Sequence, residues 1–482
     1  MANHTLNDLR RRYPQFIYED FSWKTPGKDL LISFGFKIPP DISFQPTLKI
    51  ENIDKARLRR IKRELIDNLV FNLGLIELLS YWKATCSREI LIKCGFLTKE
   101  QIDWWKTLFI KGMGQFFFEN KIDFRGPDFI KITPFSGKNN HHQNGTTPNQ
   151  PSFYSDGTGQ ASVNWLDNLE TICSPRSQTR VCTTGVVLNS LSLKNRFLVP
   201  IGGGKDSIVT LEILKEAGKE TGCFSLNPTK AIEKVMKVGE CQSPMIVKRR
   251  IDPKLLSLNR RGFLNGHTPF SAYLAFLGVL AAVILDYKYV AISDERSANE
   301  GNVKYLGREI NHQYSKSFEF EQKIRQYCKK YLIRGVEYFS FLRPLYELQI
   351  AKSFSSYPQY FRTFLSCNQA QATKSGTTKP SGKWCGQCPK CLFVFTCLYP
   401  FLGKEKTVEI FGKNLFKDKK LLPIMKQLTG ERGFKPFECV GTAKETRAAL
   451  TGRGMEKILR SWSNRHNLAQ GLAKTLKKHI RG

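Results

Sequence analysis

The sequence predicts an α/β protein in which a parallel-sheet domain with a four-cysteine knuckle sits between an N-terminal α+β domain and a basic helical tail. Three observations lead there. From about residue 186, short apolar runs alternate with amphipathic segments, the rhythm of strand–helix–strand units that build parallel sheets. The first of these runs ends in three glycines that open directly into a helical pattern. Further on, Cys385, Cys388 and Cys391 recur at two-residue gaps, with Cys367 upstream across a polar loop.

Residues 1–136 mix strand and helix signals. "ISFGFKI" (Ile32–Ile38) alternates like a strand, and Ala56–Ala84 carries apolar residues at helical spacing. Thr98 and Gln101 stand in a capping-box arrangement ahead of another helical piece. Residues 137–185 begin with an Asn/Gln/Gly/Ser/Thr-rich stretch that reads as a flexible insert. His141 and His142 lie inside it, more in keeping with solvated polar residues than with a metal pair.

The domain at 186–400 opens with "RFLVPI" (Arg196–Ile201), a buried-strand pattern, and continues with "KDSIVTLEILKEAG", an amphipathic helix closed by Gly218. "CFSLN" and "YVAIS" read as further strands. Ser271–Leu285 is the longest largely apolar run, too short for a membrane span of about 20 residues and suited to a buried helix. The tail, 401–482, has 19 Lys and Arg against 7 Asp and Glu. Leu468, Leu472, Leu476 and Ile480 recur there every fourth residue, the pattern of a basic amphipathic helix that packs on its own domain or, as the rival, docks on nucleic acid or lipid.

The 482 residues support two or three domains and a large core. Lys and Arg number 75 against 42 Asp and Glu, a net charge of +33. That balance fits an anionic partner (nucleic acid, a membrane surface or a phosphorylated metabolite) or simply a basic solvated surface. The N-terminal "MANHTLNDLRRRYP" has no apolar core of a secretory signal. Thirteen cysteines, scattered outside one cluster, suggest reduced thiols in a cytoplasmic protein without a disulfide framework.

Gly202-Gly203-Gly204-Lys205-Asp206-Ser207 is the strongest chemical signal. Glycines let backbone N–H groups approach an anion, and a helix N-terminus adds partial positive charge. The Lys-Asp-Ser order excludes a Walker A loop, which needs Ser or Thr directly after Lys. It resembles the pyrophosphate loop (PP-loop) of the ATP pyrophosphatase superfamily, S-G-G-x-D-S, with Gly202 where that pattern has Ser. The resemblance implies attack at the α-phosphate of ATP, with Asp206 on Mg²⁺ and Ser207 on a phosphate. Cys367, Cys385, Cys388 and Cys391 form a candidate four-thiolate site for structural zinc, with an iron–sulfur cluster as the rival.

Between these motifs lies a dense polar strip. Asn265 and His267 precede the apolar helix. Asp294, Glu295, Arg296, Asn299, Glu300, Asn302, His312 and Lys316 follow the "YVAIS" strand, and Arg343 and Glu347 come later. His312, His267, Glu295 and Glu300, together with Lys205, are the candidate catalytic groups. Asn265, Arg296, Asn299, Asn302 and Arg343 are candidate substrate contacts.

In order, "NLVFNLGLIELLSYWKATCSREILIKCGFL", "VPIGGGKDS", "LNGHTPFSAYLAFL", "SANEGN", "NHQYSKSFEFE", "SFLRPLYELQIAKSF" and "WCGQCPKCLFVF" resemble the UDP-N-acetyl-α-D-muramoyl-L-alanyl-L-glutamate epimerases (MurL) of cell-wall synthesis. The similar segments span most of the chain. The resemblance implies inversion of the terminal L-Glu of UDP-MurNAc-L-Ala-L-Glu to D-Glu with ATP and Mg²⁺, through an adenylated carboxylate. The competing class is a PP-loop enzyme that modifies tRNA or a nucleobase, which the charge would also suit.

Overall fold

The computed structural model describes residues 4–134, 191–372 and 379–481. The expected insert at 137–185, with His141 and His142, lies outside the described residues. In chain order the strands are β1 (Gln15–Lys24), β2 (Leu30–Ile38), β3 (Ile42–Phe44), β4 (Thr47–Ile50), β5 (Glu89–Ile92), β6 (Lys131–Pro134), β7 (Lys194–Pro200), β8 (Thr221–Leu226), β9 (Met245–Arg250), β10 (Tyr287–Ile292), β11 (Val303–Tyr305), β12 (Arg308–Ile310) and β13 (Glu337–Ser340). The helices that matter most for the site are α1 (Arg63–Trp82), α2 (Lys99–Gly112), α3 (Lys205–Glu216), α4 (Phe270–Leu285), α5 (Glu347–Phe354), α6 (Pro389–Phe411) and α7 (Gln470–Arg481).

Eleven strands form one sheet, ordered β13-β10-β7-β8-β9-β4-β2-β1-β5-β6, with β3 paired to β2. From β13 to β9 every pairing is parallel, as expected of the strand–helix rhythm. The sheet does not stop there. β9 pairs antiparallel with β4, from Thr47 opposite Arg250 to Ile50 opposite Val247. The expected separate N-terminal domain and parallel-sheet domain therefore share a single mixed sheet. The physical reason is edge protection: β9 would otherwise expose a row of unpaired backbone groups, and the N-terminal meander covers it.

Two apolar cores lie along this sheet. One gathers the N-terminal strands with α1, α2 and α4; the other gathers α3, α5, α6 and the tail. The apolar run at 271–285 is indeed a buried helix, α4, packed against α1. The helical pattern at 56–84 is broken where Ile61 turns extended, so that Lys55–Arg60 and α1 are separate helices. Asp54 caps the first. α2 starts with the Thr98–Gln101 capping box, both halves of which are formed. In the tail, Leu472 and Leu476 of α7 are buried in the second core, so this basic helix packs on its own chain. No helix among the described residues is long and apolar enough to cross a membrane.

The cysteines depart from expectation at one place. Cys223 of β8 and Cys241 are joined by a disulfide. They lie 18 residues apart, and the helix between them (Lys230–Val238) returns the chain to β8, a proximity that spacing alone does not reveal.

Candidate functional site

The glycine turn sits at the C-terminal end of β7, a central strand, where open α/β sheets bind ligands. Gly203 has φ +81°, which a side chain rarely adopts, and a Cβ there would press on Ile232 at 2.9 Å. Gly202 is exposed, with nothing within 4 Å of the place a Cβ would take, so the mouth of the turn is open. Gly204 is the N-cap of α3, and no side chain caps that helix. The N–H groups of its first turn therefore remain free to meet an anion.

Behind the turn lies a buried charge cluster. Lys205 is 1% exposed, and its ammonium donates to Asp206 and to Glu347, itself 1% exposed. Lys390 Nζ stands 3.6 Å from the same Glu347 carboxylate and donates to the Cys439 carbonyl. Burial pulls the Lys205 pKa down, but Asp206 and Glu347 more than offset it, so Lys205 stays charged. Burial likewise opposes ionisation of Asp206, and Lys205 and Lys390 reverse that, holding its pKa below the usual value. Mutual compensation of this kind is what allows charges to be buried at all.

The acidic part of the strip reaches this cluster. Burial, then the charge of Glu347, pushes Glu295 up to about 7. Burial pushes Asp294 up to about 6. Asp294 keeps one carboxylate oxygen, Oδ2, without a hydrogen-bond partner. Burial pulls Lys316 down, but the surrounding Cys439, Asp294, Glu295 and Asp206 more than offset it, so Lys316 stays protonated. The segment around 435–441 lies across the cluster: Asn302 donates to the Lys435 and Pro436 carbonyls, Gln313 to the Val440 carbonyl, and a Cβ on Gly441 would touch Glu347 at 3.2 Å.

The other expected site residues divide into three groups. His267 and His312 form a pair of their own, ring centroids 4.4 Å apart, with His312 Nδ1 on Gln115. Burial, then the Lys83 ammonium, lowers His267 to about 4, and burial, then His267, lowers His312 further below its ordinary value. Both are neutral imidazoles at pH 7. Arg343, Asn302 and Asn299 are engaged by the protein itself. Arg343 bonds Glu321 and the carbonyls of Glu295 and Lys316, Asn302 also accepts from His312 N–H, and Asn299 accepts from Phe318 N–H. Arg296 stacks over the Tyr346 ring at 4.4 Å, Glu300 is exposed 3.6 Å from Lys435, and Asn265 is exposed beside Asn120.

Lys390, Ser366 and Glu445 were not singled out from sequence, and Glu347 was noted only as part of a polar run. Glu445 accepts from Ser297 Oγ at 2.7 Å and from Leu348 N–H at 3.1 Å, so the tail locks the strip to the start of α5. Lys390 stands between Cys388 and Cys391 in the chain, yet its ammonium reaches Glu347 and the Cys439 carbonyl.

The four thiols of Cys367, Cys385, Cys388 and Cys391 do converge, all within 4.8 Å of one another. Their individual contacts are 3.9 Å (Cys367–Cys388), 3.6 Å (Cys385–Cys391) and 3.5 Å (Cys388–Cys391). Tetrahedral zinc with Zn–S bonds of 2.3 Å sets its sulfurs about 3.8 Å apart, so this donor set fits such an ion.

Fold and site together define an α/β protein with an open glycine turn, a buried lysine–carboxylate cluster behind it and a four-thiol cluster beside it. The chain belongs to the MurL family. The MurL N-terminal domain matches residues 7–190 and 140–341, and the MurL C-terminal domain matches residues 363–479. Among curated relatives, the protein of Micromonospora sp. named UDP-N-acetyl-alpha-D-muramoyl-L-alanyl-L-glutamate epimerase is 41% identical over 256 residues, 53% of this chain and 56% of that protein. Its namesake in Salinispora tropica is 41% identical over 53% of this chain and 55% of its own length. A third, in Xanthomonas oryzae pv. oryzae, is 38% identical over 54% of this chain and 57% of its own. The match thus spans just over half the length of each relative.

Proposed function

We propose that the chain inverts the terminal L-Glu of UDP-MurNAc-L-Ala-L-Glu to D-Glu, with ATP activating the glutamyl carboxylate as an adenylate. The observation that supports this reading best is the open glycine turn ending in Lys205-Asp206-Ser207, in a chain of the MurL family. A free carboxylate resists loss of its α-proton, because the carbanion would add charge beside a charge. In the proposed sequence a carboxylate oxygen attacks the α-phosphate and pyrophosphate departs onto the glycine turn. The acyl adenylate has lost that charge, so its α-carbon is far more acidic. A base removes the proton, the proton returns on the opposite face, and water releases the acid and AMP. Asp206, with Asp294 near it, would hold Mg²⁺, which neutralises phosphate charge when bound. The reading as a PP-loop enzyme on tRNA or a nucleobase shares the glycine turn and adds the charge and the thiol knuckle, but family membership favours the epimerase.

Glu295 is assigned as the base, since of the two buried carboxyls of the strip raised towards neutrality, Asp294 and Glu295, it is raised further. A base must be ionised, so kcat/KM is expected to rise with pH up to about 7 and then level. Glu295→Gln is expected to remove that limb along with most of the activity. An unchanged limb in the variant reassigns the base. The reaction itself is tested by chiral analysis of the glutamate after incubation with ATP and Mg²⁺: D-Glu with equimolar AMP supports the reading, and L-Glu alone refutes it.

A further inference from the structure

The turn lacks one hydroxyl. Where the PP-loop pattern has Ser at its first position, this chain has Gly202, and the donor that such a serine offers to phosphate has to come from elsewhere or be missing. The fold brings a candidate from far along the chain. Leu365 N–H donates to the Gly203 carbonyl at 2.8 Å, which ties the segment 365–367 to the turn. The next residue, Ser366, places its Oγ 2.7 Å from the position of a Cβ on Gly204, so close that Gly204 could carry no side chain without displacing it. That Oγ is sealed from solvent and has no hydrogen-bond partner among the described residues. An orphaned buried hydroxyl is costly and calls for a reason. Ser366 also directly precedes Cys367, whose thiol belongs to the four-sulfur cluster and accepts Ala370 N–H, so the backbone at 366 is held from both sides.

We infer that Ser366, buried and unpartnered without ligand, turns about its Cα–Cβ bond to donate its hydroxyl to the pyrophosphate group held on the Gly202–Gly204 turn, replacing the hydroxyl that Gly202 lacks. The inference rests on the proposed nucleotide role of the turn and adds a ligand contact from outside the motif. It also gives the knuckle a function besides stability, since the knuckle positions a phosphate donor.

Calorimetric titration of the 482-residue chain with ATP, inorganic pyrophosphate and AMP tests it. Ser366→Ala is expected to weaken ATP and pyrophosphate about tenfold or more, the scale of a hydrogen bond to a charged group, and to leave AMP unchanged. Adding Gly202→Ser, at a position with open space around it, is expected to restore both affinities. Thermal melts separate loss of contact from loss of fold. Wild-type protein that binds neither ATP nor pyrophosphate overturns the nucleotide reading itself. Wild-type binding with Ser366→Ala unchanged overturns only the role of Ser366, as does an equal loss for AMP or failure of the double variant to recover.

Discussion

Asp206→Asn is expected to lower ATP-dependent turnover by about 10²–10³-fold, the scale seen when one preorganised group at a developing charge is removed. The substitution is nearly isosteric, and Lys205 keeps its pairing with Glu347 and α3 its buried apolar face, so the fold should stand. The chemistry should not. Asp206 is held ionised by Lys205 and Lys390 although burial opposes this, and it sits in the first turn of α3 at the mouth of the glycine loop. A carboxylate repels phosphate unless a cation lies between them, so the proposed phosphate site would need Mg²⁺ beside Asp206. Pyrophosphate release, followed with a coupled phosphatase, is the readout. Release at the wild-type rate would remove Asp206 from the nucleotide site.

Removing the zinc proposed for the four-thiol cluster is expected to give the second large effect. The protein is expected to contain one zinc per chain, and its removal to melt the region built on the knuckle. Structural zinc in small sites contributes roughly 10–16 kcal/mol of apparent binding free energy at pH 7. Here the sulfurs also hold secondary structure: Cys388 caps α6 by accepting Cys391 N–H, and α6 is central to the second core. Elemental analysis with a chelator-dependent melt checks this, and Cys388→Ser should reproduce the chelated state. Iron in place of zinc would make the site an iron–sulfur cluster. A metal-free protein with an unchanged melt would leave four packed thiols.

How much of this was legible in the sequence depended on the range of the interaction. Local signals were reliable: the α2 capping box, the β7–glycine–α3 turn and the Cys-x2-Cys-x2-Cys knuckle all depend on residues a few positions apart. Long-range pairings were not. Nothing in "TLKI" or "MIVKRR" says that β4 and β9 pair, because both merely alternate, and the choice of partner is made by the exposed edge of the sheet. The same holds for the Cys223–Cys241 bond and for the break at Ile61, where apolar spacing continues although the backbone turns extended. Arg343 stood out as a candidate substrate contact, yet its guanidinium is engaged by Glu321, Ser340 and two carbonyls. Lys390 was masked by the cysteines on either side of it. Its role appears only when the knuckle folds beneath the glycine turn and brings it to Glu347.

The central claim is that adenylation makes the glutamyl α-proton labile. Exchange in D₂O tests it most directly. Incubated with UDP-MurNAc-L-Ala-L-Glu, the protein should place deuterium at the glutamyl α-carbon only when ATP and Mg²⁺ are both present, with release of pyrophosphate and AMP. Deuterium incorporation without ATP, or ATP cleavage to ADP, would contradict the account.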